Sequence, residues 1–398
     1  MYQQSLTRKL ASLVLLLGFV TNASAASDDI EQEFQVGPGG TLTLESDAGS
    51  IEVKTWDEDR VRVRVRNPSG FDVEMDQSGN DVSVVADSSA SLFGLRRSNI
   101  GFTVDVPVFY NVELNTGGGS IDVGDINGEV EADTSGGSIR VGVVTGGDVN
   151  VDTSGGSIDI EKVDGDVVAD TSGGSINIGD VTGDVSADTS GGRITIANVQ
   201  GNIKADTSGG NIEVGEGGGS VQLDTSGGSI RAGWAQGPIR ADTSGGNINL
   251  AGSATSVYAD TSGGNITIDG SEGPVEADSS GGNITVSNAR SVVKADTSGG
   301  RIEVEITATS GSIDGSIDLE TSRGDITLRI PSNLRGTVRA DLEVSRRSGG
   351  DNRIYTDFPL SVQDDDGDII GRGDINGGGS PISLRTTNSD IHIVSVSN

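Results

Sequence analysis

Aspartate recurs along this chain at a nearly constant interval, each time opening the short sequence Asp-[Thr/Ser]-Ser-Gly-Gly. The first step is 19 residues and every later step is 18. Carboxylates at one position of every repeat repel one another unless hydrogen bonds or cations offset the repulsion. We therefore expect them to accept backbone N–H groups of the following turn or, as an alternative, to bind cations such as Ca²⁺ weakly. The ten aspartates are Asp133, Asp152, Asp170, Asp188, Asp206, Asp224, Asp242, Asp260, Asp278 and Asp296.

Stronger metal or catalytic signatures are missing from the sequence. The calcium-binding β-roll repeat is G-G-x-G-x-D-x-U-x, whereas here the aspartate precedes the glycine pair. The acidic run at 364–368 does not fit an EF-hand frame, which would place Val362 and Gly373 at ligand positions, and an acidic hairpin loop is expected instead. His392 is the single histidine and there is no cysteine, which argues against a histidine–cysteine metal site or a catalytic triad. The sequence therefore predicts a protein that is not an enzyme and has no cofactor.

The repeat itself indicates a β-solenoid. Short fixed periods are typical of proteins in which each coil buries its apolar face only against its neighbours. Within each unit the apolar residues alternate with period two, which predicts two short strands per coil. The expected buried columns begin with Ile139, Val141, Val130 and Ala132 and recur in each later unit. Stacked coils would form parallel sheets with strands roughly 4.8 Å apart.

The Ser-Gly-Gly sequence is expected to form the tight turn between the two strands. Paired glycines can adopt positive φ without steric cost, which is the reason we expect for their presence. The threonine that follows each aspartate has the parity of the buried alanine. We therefore expect Thr134, Thr153, Thr171 and Thr189 to form an internal ladder of hydroxyl groups.

The N-terminus and the charge limit where the protein can act. Arg8, Lys9, an apolar run over 10–20 and Ala23-Ser24-Ala25 predict a signal peptide over 1–25. The run is too short to span a membrane. Without Arg8 and Lys9, 25 basic residues face 59 acidic ones, a net charge of −34. Such a chain is not expected to bind nucleic acid.

The two ends differ from the 18-residue repeat. Longer alternating strands and most of the aromatic residues occur over 26–114, and longer strands return over 315–398. We expect a β-solenoid over 115–314 flanked by β-sandwich-like regions that cover its ends. Trp234 and Tyr258 are the aromatic residues of the rod and are weak candidates for one sugar-stacking patch, with incidental packing as the alternative.

The motifs at both ends resemble a known family. They are "WDEDRVRV" (56–63), "VDVP" (104–107), the stacked "TSGGxI" units, "GDITLRIP" (324–331) and "GGGSPISLRTTNSDI" (377–391). This combination resembles the bacterial putative-adhesin family of β-solenoid proteins, a domain-of-unknown-function family, over about 30–398. The resemblance implies a β-solenoid fold and adhesion, and it carries no catalytic residues.

The sequence thus favours an exported structural or adhesive protein that presents a rigid, repetitive surface to a surface protein or glycan at the cell envelope. A periplasmic scaffold or envelope-stress accessory is the first alternative. A polysaccharide-active β-helix enzyme is the second alternative, although from 152 to 313 the coils lack long loops to build a cleft. The periplasm, the outer surface and the extracellular medium all remain open, as does the oligomeric state.

Overall fold

The computed structural model describes residues 29–89, 99–308, 311–344, 352–365 and 367–397. The signal peptide predicted over 1–25 lies outside these ranges. The described residues form 38 β-strands and no helix. In these ranges no helix therefore has the length and apolar character needed to cross a bilayer. The prediction of an all-β fold is confirmed.

The strands fall into an N-terminal group, a central group and a C-terminal group. The N-terminal strands are β1 (Ile30–Gln35), β2 (Gly40–Ser46), β3 (Ser50–Trp56), β4 (Arg60–Arg66), β5 (Phe71–Ser78), β6 (Asp81–Ser88), β7 (Gly101–Pro107), β8 (Tyr110–Thr116), β9 (Ile121–Val123) and β10 (Ile126–Asn127). The central strands are β11 (Val130–Thr134), β12 (Ile139–Thr145), β13 (Val149–Thr153), β14 (Ile158–Asp164), β15 (Val167–Thr171), β16 (Ile176–Val181), β17 (Val185–Thr189), β18 (Ile194–Ile196), β19 (Ile203–Thr207), β20 (Ile212–Val214), β21 (Val221–Thr225), β22 (Ile230–Ala235), β23 (Ile239–Thr243), β24 (Ile248–Ser253), β25 (Val257–Thr261), β26 (Ile266–Ile268), β27 (Val275–Ser279), β28 (Ile284–Ala289), β29 (Val293–Thr297) and β30 (Ile302–Ile306). The C-terminal strands are β31 (Ile317–Thr321), β32 (Ile326–Pro331), β33 (Gly336–Glu343), β34 (Ile354–Thr356), β35 (Ser361–Asp365), β36 (Asp368–Ile375), β37 (Ser380–Thr387) and β38 (Ile391–Val396).

Successive strands alternate between two sheets, which we call sheet A and sheet B. In the central part, the strand after each Asp-Thr-Ser-Gly-Gly turn lies in sheet A, and the strand that carries the aspartate lies in sheet B. Neighbouring coils pair in parallel and in register, so that Asp133 lies beside Asp152 and Ile139 beside Ile158. The predicted parallel β-solenoid is confirmed. The single 19-residue step adds one residue in the turn after β12, where Gly146 has a φ of 72°.

The core lies between the two sheets and consists of the predicted columns. Ile139, Val141, Val130 and Ala132 are all buried, as are their equivalents in the later coils. Each coil contributes only a few aliphatic side chains, because only alternate residues of its short strands point inward. A coil is therefore stabilised mainly by the coils on either side of it.

The second glycine of the turn pair is required for a reason other than the predicted one. The turn glycines do not have positive φ. Instead, a Cβ on the second glycine would collide with the carbonyl oxygen of the equivalent glycine in the coil below. For Gly210 this oxygen belongs to Gly192 and would lie at 1.7 Å, whereas a Cβ on Gly209 would meet nothing closer than 3.5 Å. Close stacking of successive turns thus excludes a side chain at the second position.

The spatial order of coils at the N-terminal end differs from the sequence order. The coil of β2 and β3 lies between the coil of β6 and β7 and the coil of β8 and β9, in parallel with both. The strands β4 and β1 then extend sheet A, and β5 extends sheet B, all in antiparallel pairing. The longer N-terminal strands therefore belong to the same two sheets as the rod.

The C-terminal end has the same kind of arrangement. The coil of β37 and β38 is inserted between the coil of β31 and β32 and the coil of β33 and β34. Sheet B continues beyond β33 through the antiparallel strands β36 and β35. Antiparallel strands thus cover the outermost parallel coil of sheet B at both ends and of sheet A at the N-terminal end. Neither boundary of the predicted 115–314 solenoid interrupts the sheets.

Candidate functional site

The outer face of sheet B carries the feature that the sequence singles out. We call the ten aspartates from Asp133 to Asp296 the aspartate column. In-register parallel pairing places each member directly beside the next, about 4.8 Å apart along the rod. Some members are exposed, such as Asp188, and others are half-buried, such as Asp206. An exposed serine follows two positions after each aspartate, for example Ser208.

The aspartate column does not cap the turns, so the expectation that it would do so is wrong. None of its ten carboxylates, all within the described ranges, accepts a hydrogen bond from a backbone N–H. The next residue performs this role, because the Thr207 hydroxyl accepts the N–H of Gly210 at 3.2 Å. The same hydroxyl donates to the carbonyl oxygen of Gly192 in the coil below at 3.0 Å. The threonines are buried as predicted, but their hydroxyls bond to glycine backbone rather than to one another.

A second acidic row, which the sequence analysis missed, does bind the backbone. We call Asp148, Asp166, Asp184 and Asn202 the turn ladder. The Oδ1 atom of each accepts the backbone N–H of the equivalent residue one coil later, at 2.7–2.9 Å. The Gly-[Asp/Asn]-[Val/Ile] sequence that recurs before β13, β15, β17 and β19 was the signal for it. The two rows therefore differ in role, because only the turn ladder is needed to satisfy backbone groups.

Several aspartates of the column, among them Asp170 and Asp206, have a raised pKa. Partial burial raises the pKa of Asp170 above its ordinary value, and the carboxylates of Asp188 and Asp152 raise it further. The pKa of Asp206 is raised by the same two effects, with Lys204 opposing them. Like charges side by side disfavour the ionised form of each group. The carboxylates thus remain on the surface at an electrostatic cost to the fold.

Only a few cations lie next to the column. Lys204 Nζ is 3.5 Å from Asp206, and Arg240 Nε is 2.9 Å from Asp242. At the C-terminal end, the position next to Asp296 is occupied by Glu320, and the position after that by the positively charged Arg385. Arg385 Nη1 lies 2.9 Å from Glu320 Oε2. No described salt bridge involves the column members from Asp133 to Asp188. Within the described ranges, that stretch therefore presents carboxylates without an ion-pair partner.

The geometry of the column is a line rather than a cage. An open groove of about 410 Å³ follows it from Asp188 to Asp260 and is lined by these aspartates and the neighbouring Thr and Ser residues. Within the described ranges, no three acidic, histidine or cysteine side chains form a group that could hold a metal ion. Weak cation binding along the column therefore remains a prediction, and it would involve neighbouring carboxylates only in pairs.

The structure does not bring Trp234 and Tyr258 together. Trp234 is in β22 of sheet A, and its ring lies against Gly252, where an added Cβ would be 2.8 Å from the ring carbon Cζ3. Tyr258 is in β25 of sheet B, where the guanidinium of Arg240 stacks over its ring at 4.1 Å. Because the two side chains belong to different sheets, they do not form a single patch, and each packs locally as in the alternative considered from the sequence.

The two remaining sequence candidates, His392 and the acidic run at 364–368, make contacts within the local structure. His392 stacks on Tyr355 with ring centroids 4.8 Å apart. The acidic run lies at the hairpin between β35 and β36, where Asp364 Oδ1 accepts the N–H of Gly367 at 3.1 Å. This agrees with the expected hairpin loop. Asp366 lies outside the described residues.

These features define the class of the protein, a two-sheet parallel β-solenoid with one acidic outer face. Residues 40–232 match the family model described as Toastrack DUF4097. Over these residues the chain is similar to this domain-of-unknown-function family, in agreement with the resemblance of its sequence motifs. None of the curated proteins matches this chain.

Several solved structures of bacterial proteins are similar to parts of the chain. A putative cell adhesion protein from Clostridium sporogenes has 9% identity and a TM-score of 0.16, with 93% of this chain and 100% of that chain covered. A putative adhesin from Parabacteroides distasonis has 12% identity and a TM-score of 0.29, with coverages of 68% and 97%. A putative adhesin from Bacteroides fragilis has 15% identity and a TM-score of 0.23, with coverages of 70% and 98%. The similarity to the family is carried by the match over residues 40–232.

Proposed function

We propose that this protein is an exported, non-enzymatic β-solenoid with a structural or adhesive role. It presents the outer face of sheet B to a surface protein or glycan at the bacterial cell envelope. The observation that carries the proposal is the bonding of the aspartate column. Its carboxylates accept no turn N–H, whereas the neighbouring threonines satisfy the turns.

The fold does not need a carboxylate at these positions. The buried threonine already connects each Ser-Gly-Gly turn to the coil below. In the other turn of the coil, before the sheet B strand, the turn ladder accepts the backbone N–H groups. The column instead raises the energy of the folded state through repulsion between neighbours. A row of charged groups that the fold tolerates but does not use supports a role in contact with a partner.

The rod provides a rigid support for such a contact. Every coil of the central part is hydrogen-bonded to both neighbours, and its inward side chains are buried. Side chains on the outer face are therefore held at a fixed repeat of about 4.8 Å. A partner with repeated basic groups, or one with hydroxyl groups that bind carboxylates, would meet the same arrangement at each coil. Binding by charge should weaken as salt is added.

A charge-matched pair of variants tests this use of sheet B. The triple variant Asp170→Asn, Asp188→Asn, Asp206→Asn removes three charges from the column. The control Asp148→Asn, Asp166→Asn, Asp184→Asn removes three charges from the turn ladder, where Asn202 shows that an amide oxygen can replace the carboxylate. Purified proteins would be sedimented with an envelope fraction of the source organism over a range of NaCl concentrations. We expect the column variant to lose binding about tenfold and the control to keep it.

Equal loss in both variants would mean that net charge rather than this face determines binding. Unchanged binding in both would contradict a role for the column. Cellular location is tested separately, by protease treatment of intact cells with an antibody against residues 115–314 and a periplasmic marker as control. Loss of the protein from intact cells supports adhesion. Protection until the outer membrane is opened contradicts adhesion and favours the periplasmic scaffold.

A further inference from the structure

The inserted C-terminal coil is held on both sides by segments that precede it in the sequence. In sheet B, Leu384 of β37 lies between Leu319 and Ala340. In sheet A, Ile391 of β38 lies between Ile326 and Ile354. The coil of β37 and β38 therefore fills a slot, which we define as the space between the coil of β31 and β32 and the coil of β33 and β34.

The slot is made entirely from residues that come earlier in the chain than its occupant. Glu320 and its register partner Arg385 are 65 residues apart, and β33 to β36 lie between them in sequence. Pairings of this separation form late, because a long loop must close first. An intermediate with β31 to β36 in place would expose unpaired backbone groups on both sides of the slot, and such edges accept another strand readily.

The contacts in the slot select this particular coil. The Thr386 hydroxyl donates to the carbonyl oxygen of Gly324 at 2.8 Å, and Arg385 pairs with Glu320 at 2.9 Å. A coil from the rod has aspartate in place of Arg385 and would set two like charges side by side. The coil whose charge matches Glu320 is therefore the coil of β37 and β38, supplied either by the same chain or by a second copy.

The segment that connects β36 to β37 is suited to act as a hinge. Residues 376–379 cross the start of β33, since β36 and β37 lie on opposite sides of that strand. Asn376, Gly377 and Gly378 have successive φ values of 50°, 91° and 77°. This left-handed run is required for the sharp crossing and would relax in an extended connection.

We propose that two copies of this chain exchange the coil of β37 and β38 during folding. The product is a reciprocal dimer in which each slot holds the coil of the other copy and the rods are joined at their C-terminal ends. All contacts of the slot are retained, and only residues 376–379 change conformation, as in other domain-swapped proteins. The exchange does not depend on what sheet B binds.

The absence of cysteine from the sequence allows a direct test. Glu320→Cys and Arg385→Cys would place two thiols on neighbouring parallel strands, at a Cα separation suitable for a disulfide. The double variant in one chain is the positive control for an intrachain bond. The two single variants, unfolded, mixed and refolded at high concentration, should give a disulfide between chains that joins the two introduced thiols, identified by mass spectrometry of linked peptides. Asp206→Cys mixed with Asp224→Cys, which are register partners within the rod, should give none.

A hinge variant provides a second measurement. Gly377→Ala leaves the side chain in open space but places alanine at a φ of 91°. Gly70→Ala is the matched control, with the same φ and open surroundings in a connection far from the slot. The strain of about 1–2 kcal/mol predicts a dimer fraction roughly 5- to 30-fold higher for Gly377→Ala than for Gly70→Ala, measured by light scattering after refolding.

The proposal is wrong if the double variant forms its intrachain bond but the mixed single variants give no more interchain disulfide than the rod pair. It is also wrong if Gly377→Ala and Gly70→Ala give the same dimer fraction.

Discussion

The hydroxyl of Thr116 donates a hydrogen bond of 2.8 Å to the carbonyl oxygen of Gly49, 67 residues earlier in the chain. In the rod, the same bond joins each threonine to the turn of the preceding coil, as from Thr207 to Gly192. The acceptor of this bond therefore identifies the coil on which the threonine's own coil is stacked. It shows that the coil of β2 and β3, rather than the coil of β6 and β7, supports β8.

The threonine hydroxyls should contribute measurably to the stability of the rod. Thr207→Val keeps the shape of the side chain but leaves the Gly192 carbonyl and the Gly210 N–H without their partner. Leaving such buried groups unpaired costs about 1–3 kcal/mol. Urea unfolding should show this decrease, whereas the exposed control Ser208→Ala should change stability by no more than about 0.5 kcal/mol. Equal stability of the two variants would contradict the role given to the hydroxyl.

The two glycines of one turn should respond differently to alanine. Gly210→Ala places a Cβ 1.7 Å from the Gly192 oxygen, so the stacked turns must move apart. We expect a loss of about 3 kcal/mol or more, at the upper end of overpacking effects. Gly209→Ala has room for its methyl group and restricts the unfolded chain, so it should be neutral or stabilising by up to about 1 kcal/mol. The thermal midpoints of the two variants provide the comparison, and equal midpoints would contradict it.

Much of the rod could be predicted from its sequence because the period is visible in the chain itself. The alternation of apolar residues gives the strands, and the 18-residue interval gives the register of Ile139 with its equivalents. The reason for the second glycine of each pair was not visible, since it depends on the distance between stacked turns. The role of the column was also missed, because both Asp and Thr have oxygens that can accept a turn N–H.

The order of the end coils and the fate of the aromatic candidates required three-dimensional information. Nothing in the local sequence of residues 380–396 shows that this coil lies beside Glu320, because the pairing spans 65 residues. Trp234 and Tyr258 come from adjacent coils, but sequence distance along a solenoid does not fix the sheet on which a residue lies. To assign each residue to sheet A or sheet B, the alternation of inward and outward residues along a strand must be combined with the position of each turn.

The buried carboxylate of Asp105 should be important for the N-terminal end. Its side chain is 9% exposed and accepts both Arg62 at 2.9 Å and Arg64 at 2.8 Å. Asp105→Ala would leave two partly exposed guanidinium groups without their shared acceptor, with an expected loss of about 1–3 kcal/mol. The control Asp122→Ala removes an exposed partner of Arg140 and should cost at most about 1 kcal/mol. Urea unfolding would measure both losses, and similar values would show that burial does not determine the strength of the Asp105 pairs.

The aspartate column should make the rod more stable as the pH falls from neutral. Burial and neighbouring carboxylates raise the folded-state pKa of Asp170 and Asp206 above the ordinary value of 3.8. Between that value and the raised one, the folded state binds more protons than the unfolded state, so its stability increases on acidification. Above the raised pKa the full electrostatic cost remains. Asp170→Asn, Asp206→Asn should therefore be more stable than the wild type at pH 7, by a few tenths of a kcal/mol per residue after solvent screening.

This advantage should shrink as the pH falls through the raised pKa values toward 3.8, because protonation removes the charges of the wild-type groups. Added NaCl should also reduce it, since salt screens exposed charges. The control Asp166→Asn, Asp184→Asn removes the same charge from the turn ladder, where the side chains accept backbone N–H groups. Thermal unfolding of the three proteins from pH 4 to pH 7 would compare them. A column variant that is less stable than the wild type at pH 7 would show that these carboxylates stabilise the coil stack, and the interpretation of the column as a surface available to a partner would then lose its basis.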